Sequence, residues 1–104
     1  MPLIARGGGV DQVTTNEAPC SVTTTTVGMS ETVFIEGTGV HCLGDDNDTH
    51  SYPCGSNCCS HSTNVLTASE TVFADKKGVA RDGDPYACLA VVGPVLQSTV
   101  FADG

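Results

Sequence analysis

The side chains best suited to chemistry in this sequence are cysteines and histidines, and most of them lie in one segment. Between Gly44 and Val65 the chain carries five of them: His50, Cys54, Cys58, Cys59 and His61. Zinc binds four nitrogen or sulfur donors at about 2.0–2.3 Å, and we expect Cys58-x-x-His61 to place two donors on one tight turn. Little chain entropy is then lost when a metal binds both. We therefore predict that Cys58 and His61 are metal ligands.

Further donors occur at nearly equivalent positions of a repeated pattern. Cys20, His61 and Cys88 lie fourteen, twelve and thirteen residues before the phenylalanine of a Thr-Val-Phe segment. If these segments converge at an apex, one donor from each of them plus Cys58 forms a site of three sulfurs and one nitrogen, with His50 as the alternative to Cys20. Four protein ligands leave no open position for a substrate, so we expect one structural metal ion, zinc rather than iron.

The same residues allow other interpretations. A disulfide is an alternative for Cys58, and burial as a small apolar residue is an alternative for Cys20 and Cys88. We expect Cys42 to be a buried thiol and His41 to be a surface residue. The N-terminal residues lack the apolar core of a signal peptide, so we expect a reducing compartment, in which cysteines are metal ligands more often than disulfides.

These residues are set in a threefold internal repeat. The segments 30–45 (SETVFIEGTGVHCLGD) and 69–84 (SETVFADKKGVARDGD) share nine of sixteen positions. A third, truncated copy is present because residues 99–103 (TVFAD) repeat residues 71–75 letter for letter. The N-terminal segment 4–8 (IARGG) aligns with 79–83 (VARDG) and supplies the missing half. We predict a single domain over residues 1–104 with approximate threefold symmetry.

Six short runs rich in β-branched residues predict strands: 21–27, 31–35, 64–67, 70–74, 89–92 and 97–102. No window carries helical spacing, so we expect an all-β fold of three β-hairpin repeats with almost no helix. A lone hairpin is unstable, so the three must pack together. We expect Phe34, Phe73 and Phe101 to be equivalent buried anchors, worth about 1.5–3 kcal/mol each.

Composition excludes several functions. Four basic residues against twelve acidic ones, a net charge of −8, cannot form the positive surface that nucleic acids require. No stretch approaches the roughly 20 apolar residues of a membrane span. We also find no nucleophile and base motif of a hydrolase, and we do not expect an enzyme. The low content of large apolar residues predicts that folding needs a metal, disulfides or a partner surface.

Two turns resemble the motif that names the PAAR family, a Pro-Ala-Ala-Arg-x-Gly-Asp sequence. These are segment 78–84 (GVARDGD) and segment 2–8 (PLIARGG), where Gly8 and the Gly9 that follows it stand in place of the first Gly-Asp. A third, segment 39–45 (GVHCLGD), keeps the Gly-Asp and loses the Ala-Arg. The Thr-Val-Phe strands and the Cys-x-x-His pair also follow the order of that family, so the resemblance covers essentially the whole chain.

The resemblance implies a small cone whose apex holds zinc or iron between three histidines and one cysteine, which favours His50 as a ligand. Its base would sit on a trimeric β-helix spike protein, one monomer per trimer, and its tip would pierce the target cell envelope. The chain ends soon after its third repeat, so we expect a virion tail baseplate, assembled in the host cytoplasm, rather than a toxin-bearing secretion system. A secreted binding module framed by disulfides is the alternative, because the cysteine count is even.

Overall fold

The computed structural model describes residues 1–103, and this part of the chain contains short antiparallel strands and no helix. One three-stranded sheet has the order β2-β1-β9, and three hairpins pair β3 with β4, β5 with β6 and β7 with β8. The strands are β1 (Gln12–Thr14), β2 (Thr23–Thr25), β3 (Phe34–Ile35), β4 (Thr38–Gly39), β5 (His50–Cys54), β6 (Asn57–His61), β7 (Phe73–Ala74), β8 (Lys77–Gly78) and β9 (Val91–Val92). The all-β prediction is confirmed.

The six predicted segments locate only part of this pairing. Four of them contain a strand, whereas 64–67 and 97–102 form only isolated bridges. The second strands of the three hairpins, β4, β6 and β8, were not predicted, because β6 and β8 have no β-branched residue and β4 has a single threonine followed by glycine. No helix of the described part is long and apolar enough to cross a membrane.

The hairpins β3–β4 and β7–β8 are built in the same way. Both turn residues have positive φ in each, 52° and 82° at Glu36 and Gly37, and 52° and 68° at Asp75 and Lys76. Two-residue turns of this hand match the twist of the strands that they join. After each turn comes a glycine, Gly39 in one hairpin and Gly78 in the other, and a side chain there would collide with the backbone oxygen of the serine nine residues earlier. Both repeats therefore use the same two-residue turn, followed by a glycine that leaves no room for a side chain.

A polar side chain closes the loop before each Thr-Val-Phe segment. An oxygen of that side chain accepts hydrogen bonds of 2.8–3.2 Å from the backbone N–H groups two and three residues later. The acceptors are Ser30, Ser69 and Gln97. Serine does this twice and glutamine once, so the third copy keeps the geometry of the repeat although its sequence differs.

Three backbone hydrogen bonds join the repeats in a closed ring. The N–H of Ala5 donates to the oxygen of Ala80 at 2.9 Å, that of Ala80 to His41 at 2.7 Å, and that of His41 to Ala5 at 2.9 Å. All three residues are fully buried. A cyclic pattern of this kind requires the three equivalent segments to be related by rotation, which confirms the predicted pseudo-threefold arrangement.

Two apolar cores lie on opposite sides of this ring. Adjacent residues of an extended segment point to opposite faces, so Ile4 enters one core and Ala5 the other. The tip-side core comprises Ala5, Val13, Val65, Ala68, Ala80, Tyr86, Ala90, Val92 and Val95, and Cys88 packs against it. The base-side core comprises Ile4, Ile35, Val40, Cys42, Ala74, Val79 and Ala102.

The prediction that the three phenylalanines are buried anchors is wrong. Phe34, Phe73 and Phe101 are 55%, 57% and 46% exposed. The residue after each of them is buried in the base-side core: Ile35, Ala74 and Ala102. Because neighbouring strand residues face opposite ways, burial of the small or aliphatic residue turns each phenylalanine outward. The repeats thus place three equivalent aromatic rings on the surface.

Candidate metal centre and base surface

The candidate metal centre is built on the β5–β6 hairpin, which we call the tip hairpin (residues 50–61). His50 and His61 are directly paired across its two strands. Residues that face each other in an antiparallel pair lie on the same side of the sheet with Cβ atoms about 4.5–5.5 Å apart. The pairing therefore brings two imidazoles together, and their Nε2 atoms lie 2.9 Å apart.

Two other parts of the chain complete a cluster around these histidines. The Cys88 sulfur lies 3.9 Å from Nε2 of His50, and a carboxylate oxygen of Glu17 lies 3.7 Å from Nε2 of His61. One donor atom from each of the four residues lies within 4.8 Å of all the others. Residues far apart in the sequence thus present two nitrogens, one sulfur and one oxygen to a common point.

The hydrogen bonding of His50 fixes which ring nitrogen faces that point with a lone pair. Its Nδ1 lies 3.0 Å from the backbone oxygen of Asp48. A carbonyl oxygen only accepts, so Nδ1 carries the proton in neutral His50 and Nε2 carries the lone pair. A backbone carbonyl that orients a ligating histidine in this way is a common second partner at metal sites.

Two of the donor separations are close to those expected around a tetrahedral ion. Bonds of about 2.0–2.1 Å to nitrogen and 2.3 Å to sulfur place two nitrogens about 3.4 Å apart and a nitrogen and a sulfur about 3.6 Å apart. The observed separations of 2.9 Å between the imidazoles and 3.9 Å between His50 and Cys88 differ from these by about 0.3–0.5 Å. Side-chain rotation alone can supply adjustments of this size. The residues fit a metal ion of the zinc type.

Three of the five residues predicted as ligands, His50, His61 and Cys88, lie in this cluster. The other two, Cys20 and Cys58, are joined to each other in a disulfide, so neither offers a free thiolate in this structure. The physical reason is the strand geometry of β6. Cys58 and His61 are three residues apart, and residues separated by an odd number in a strand point to opposite faces. We expected a tight turn, and the structure has a strand.

A second disulfide joins Cys54 and Cys59 at the end of the tip hairpin. The expectation that the cysteines are thiols rather than disulfides therefore fails for four of the six. It holds for Cys42 and Cys88, which are free.

Sequence reasoning missed Glu17. A carboxylate three residues before Cys20 attracts no notice by itself, because exposed acidic residues are common in a chain of this charge. In the structure the N–H of Cys20 donates to the backbone oxygen of Glu17 at 2.9 Å, which forms a turn. The disulfide between Cys20 and Cys58 of β6 then holds Glu17 beside His61. The signal was a turn-forming Glu-x-x-Cys sequence, but its importance depended on the disulfide partner.

At the other side of the ring, an apolar socket with a volume of about 430 Å³ opens on the surface. The valine of every Thr-Val-Phe segment lines it, together with one core residue from each of the three turns. These residues are Val33, Val72, Val100, Ile4, Val40 and Val79. Equivalent positions of all three repeats therefore surround one concave surface, which lies on the pseudo-threefold axis.

Comparison with known families gives one match. The family model described as the PAAR motif matches residues 12–94, which is most of the chain. This protein belongs to the PAAR family. None of the curated proteins searched matches the sequence significantly. PAAR domains are small all-β cones that act as spike-tip modules of injection systems, where they associate with spike proteins.

The turns that resemble the PAAR motif are related by the same rotation as the ring. In each of them a backbone N–H, that of Arg6, Cys42 or Arg81, donates to an aspartate carboxylate at 2.7–2.9 Å. The aspartates are Asp11, Asp45 and Asp84. The interpretation of Gly8-Gly9 as the counterpart of the first Gly-Asp is therefore wrong. The first PAAR turn is two residues longer than the others, and its aspartate is Asp11.

The arginines of two PAAR turns make paired contacts with their aspartates. Arg81 binds both carboxylate oxygens of Asp84 at 3.0 Å, and Arg6 binds both oxygens of Asp11 at 3.1 Å. Two-point contacts of this kind fix orientation as well as charge. In the second turn the arginine is replaced by Cys42, which is buried, as predicted. Burial raises the pKa of Cys42 to about 11, so its thiol remains protonated at neutral pH.

His41 lies outside the metal cluster, in the interior, and the prediction of a surface residue is wrong. Its Nδ1 lies 2.6 Å from the Gly28 oxygen and therefore donates, which leaves Nε2 to accept the hydroxyl proton of Tyr86 at 2.7 Å. Burial lowers the pKa of His41, which favours its neutral form. This histidine joins two parts of the core and has no free lone pair for a metal.

Proposed function

We propose that this PAAR protein is the structural tip of a contractile tail, capping the trimeric β-helical central spike of the baseplate and sharpening it for piercing the target cell envelope. The supporting observation is the socket on the pseudo-threefold axis. A monomer with three similar faces can bind a trimer along its symmetry axis in a one-to-three ratio. A ratio of this kind is difficult to obtain with an asymmetric surface.

The chemistry of the base suits a protein partner. Phe34, Phe73 and Phe101 are half exposed and follow the three valines of the socket. Large apolar residues gathered in one concave surface are typical of binding sites, whereas scattered ones are not. The trimeric end of a β-helix, which has exposed strand edges, would bury these rings and gain a cap for its edges.

The opposite part of the molecule would be the piercing end. The molecule is elongated, with principal extents of 41 × 23 × 22 Å. The tip hairpin is an insertion in one repeat, and Cys88 of the metal cluster packs against the core on the far side of the ring from the base. We propose that the protein is located in the virion, at the central spike of the tail baseplate.

We further propose one structural zinc ion, held by His50, His61, Cys88 and Glu17. Two imidazoles, a thiolate and a carboxylate suit zinc, and the thiolate and imidazoles make magnesium or calcium unsuitable. Four protein donors complete a tetrahedral site without an open position, so the ion would stabilise rather than catalyse. When bound, it would tie the base of the tip hairpin to the segments that carry Glu17 and Cys88.

The proposal is tested by the stoichiometry of the complex with the trimeric spike of the same machine, measured by size-exclusion chromatography with light scattering. We expect one chain per spike trimer. Phe34→Asp, on the base, should weaken binding at least about tenfold. Leu89→Asp is the matched control, because Leu89 is also an exposed apolar residue, at 78%, and follows Cys88 of the metal cluster. Three copies per trimer, or equal effects of the two variants, would contradict the proposal.

A secreted binding module framed by disulfides is the second candidate, and the two disulfides favour it. Such a module would not need a base with threefold symmetry. The same chromatography separates the candidates, because a module of that class would leave the spike trimer unbound.

A further inference from the structure

The outer half of the tip hairpin, residues 53–60, has little non-covalent support. All of these residues except Cys54 are exposed, and none belongs to either apolar core. A two-stranded hairpin without a packed face is marginally stable in water. Something other than apolar packing must therefore hold this end of the molecule in place.

Among residues 1–103, the hydrogen bonds between the hairpin and the rest of the molecule lie near its start. Ser51 accepts at its backbone oxygen from the N–H of Ser21 at 3.2 Å and donates its own N–H to the Ser21 hydroxyl at 2.9 Å. Within residues 1–103, no hydrogen bond connects residues 53–60 to anything outside the hairpin. The connection at this level is the Cys20–Cys58 disulfide.

The second disulfide acts within the hairpin. Cys54 and Cys59 flank the turn at Gly55, which has a φ of 69°. A cross-link over so short a segment limits the opening of the strand ends. The two bonds thus have separate tasks: Cys54–Cys59 closes the hairpin on itself, and Cys20–Cys58 fixes it to the body.

We propose that these four cysteines form a redox-dependent clamp, which leaves the outer tip hairpin mobile in a reducing compartment and makes it rigid once the disulfides form. In each step two thiols lose two protons and two electrons, and a sulfur–sulfur bond forms between them. The oxidant is a small or protein disulfide, whose own bond breaks to give two thiols. Reducing cytoplasm keeps such pairs open, and oxidising surroundings close them. The importance of this stiffening for piercing depends on the proposed function, but the clamp itself does not.

The remaining cysteines are separated from this chemistry. Cys42 is buried in the base-side core, 1% exposed. Cys88 lies beside His50 and Thr63, with its sulfur 2.9 Å from the Thr63 hydroxyl. Both stay free while the other four are paired. Oxidation is therefore expected to stop at two disulfides.

The first test counts thiols. The purified full chain is reduced, incubated with oxidised glutathione, denatured, alkylated and weighed by mass spectrometry. We expect two alkylated cysteines, Cys42 and Cys88, against six for the reduced protein. Six alkylated cysteines after oxidation, or pairing that involves Cys42, would overturn the proposal.

The second test measures mobility by hydrogen exchange in the oxidised and reduced proteins. Reduction should speed the exchange of amides in residues 53–60 by about tenfold or more, because local opening of the hairpin then requires less free energy. Exchange at Ala5, His41 and Ala80, the ring amides, should not change. Cys54→Ser with Cys59→Ser should reproduce part of the effect in the oxidised protein, and Cys42→Ser should not.

Equal exchange of residues 53–60 in the two redox forms would refute the clamp, and so would loss of protection in the ring, since the effect would then be global unfolding. Binding of the reduced protein to the spike trimer is measured in parallel. If binding persists, the clamp has failed and the proposed function has not. The base contains no disulfide, so its binding should be independent of redox state.

Discussion

Replacement of Tyr86 by phenylalanine removes one hydroxyl group from the interior and keeps the ring. Tyr86 is fully buried, and its hydroxyl donates to Nε2 of His41 at 2.7 Å. Without it, the lone pair of His41 is left buried and unpaired, because Nδ1 is already occupied by the Gly28 oxygen. An unsatisfied buried polar group costs about 1–3 kcal/mol. We expect the free energy of unfolding to fall by that amount.

The loss is large compared with the total stability of a small domain, about 5–15 kcal/mol. It should lower the midpoint of thermal unfolding by about 4–8 °C for each kcal/mol. The assay is urea unfolding followed by circular dichroism, with the disulfides intact in all variants.

Tyr52→Phe is the matched control for the tyrosine substitution. Tyr52 is partly exposed, and its ring stacks on His61 with centroids 4.0 Å apart, a contact that phenylalanine preserves. Surface changes of this kind usually alter stability by less than about 0.5 kcal/mol. If the variant at Tyr86 is as stable as the one at Tyr52, the assignment of a hydrogen bond between His41 and Tyr86 is refuted.

Two further predictions concern metal binding and acid. Elemental analysis should find about one zinc per chain in the wild-type protein, much less after Cys88→Ser, and an unchanged amount after Cys42→Ser; equal metal content in the two variants would exclude Cys88 as a ligand. Burial lowers the pKa of His41 below its ordinary 6.5, so the unfolded chain binds the proton more readily than the folded chain. The free energy of unfolding should therefore fall as the pH drops below about 6.5, by up to about 1.4 kcal/mol per pH unit. Urea unfolding of metal-free protein at pH 7.5 and 5.5 should show a smaller loss for His41→Gln than for wild type, and an equal loss would assign the acid sensitivity to other groups.

The repeat could be predicted from sequence because identity between segments requires similar backbone paths. The identical residues of segments 30–45 and 69–84 include the loop serine and the closing glycine, and they align the two-residue turns and the ring positions, although the turn and ring residues themselves differ. The side to which each residue points could not be predicted. Phe34 was expected inside, but the short strand buries Ile35 and exposes its neighbour.

The metal cluster could be predicted only in part for a similar reason. Residue type and the spacing of the repeats identified His50, His61 and Cys88 as candidate ligands, because imidazole and thiolate groups bind zinc. The pairing of His50 with His61 depends on the register of a hairpin whose strands lack β-branched residues. Glu17 joins them only through a disulfide between residues 38 positions apart, and no local pattern contains that information.

The ring of three hydrogen bonds comes from one chain rather than from three copies of a shorter one. In a homotrimer, any substitution at the ring would appear three times, and three imidazoles would have to share the space that one His41 now fills between two alanines. In a single chain each substitution occurs once, so the three sectors can differ. One sector can lengthen its loop, contribute two metal donors and replace an arginine, while equivalent positions of all three sectors still line the socket. Because the three sectors are joined in one chain, the molecule can combine a base of approximate threefold symmetry with a single tip hairpin at its other end.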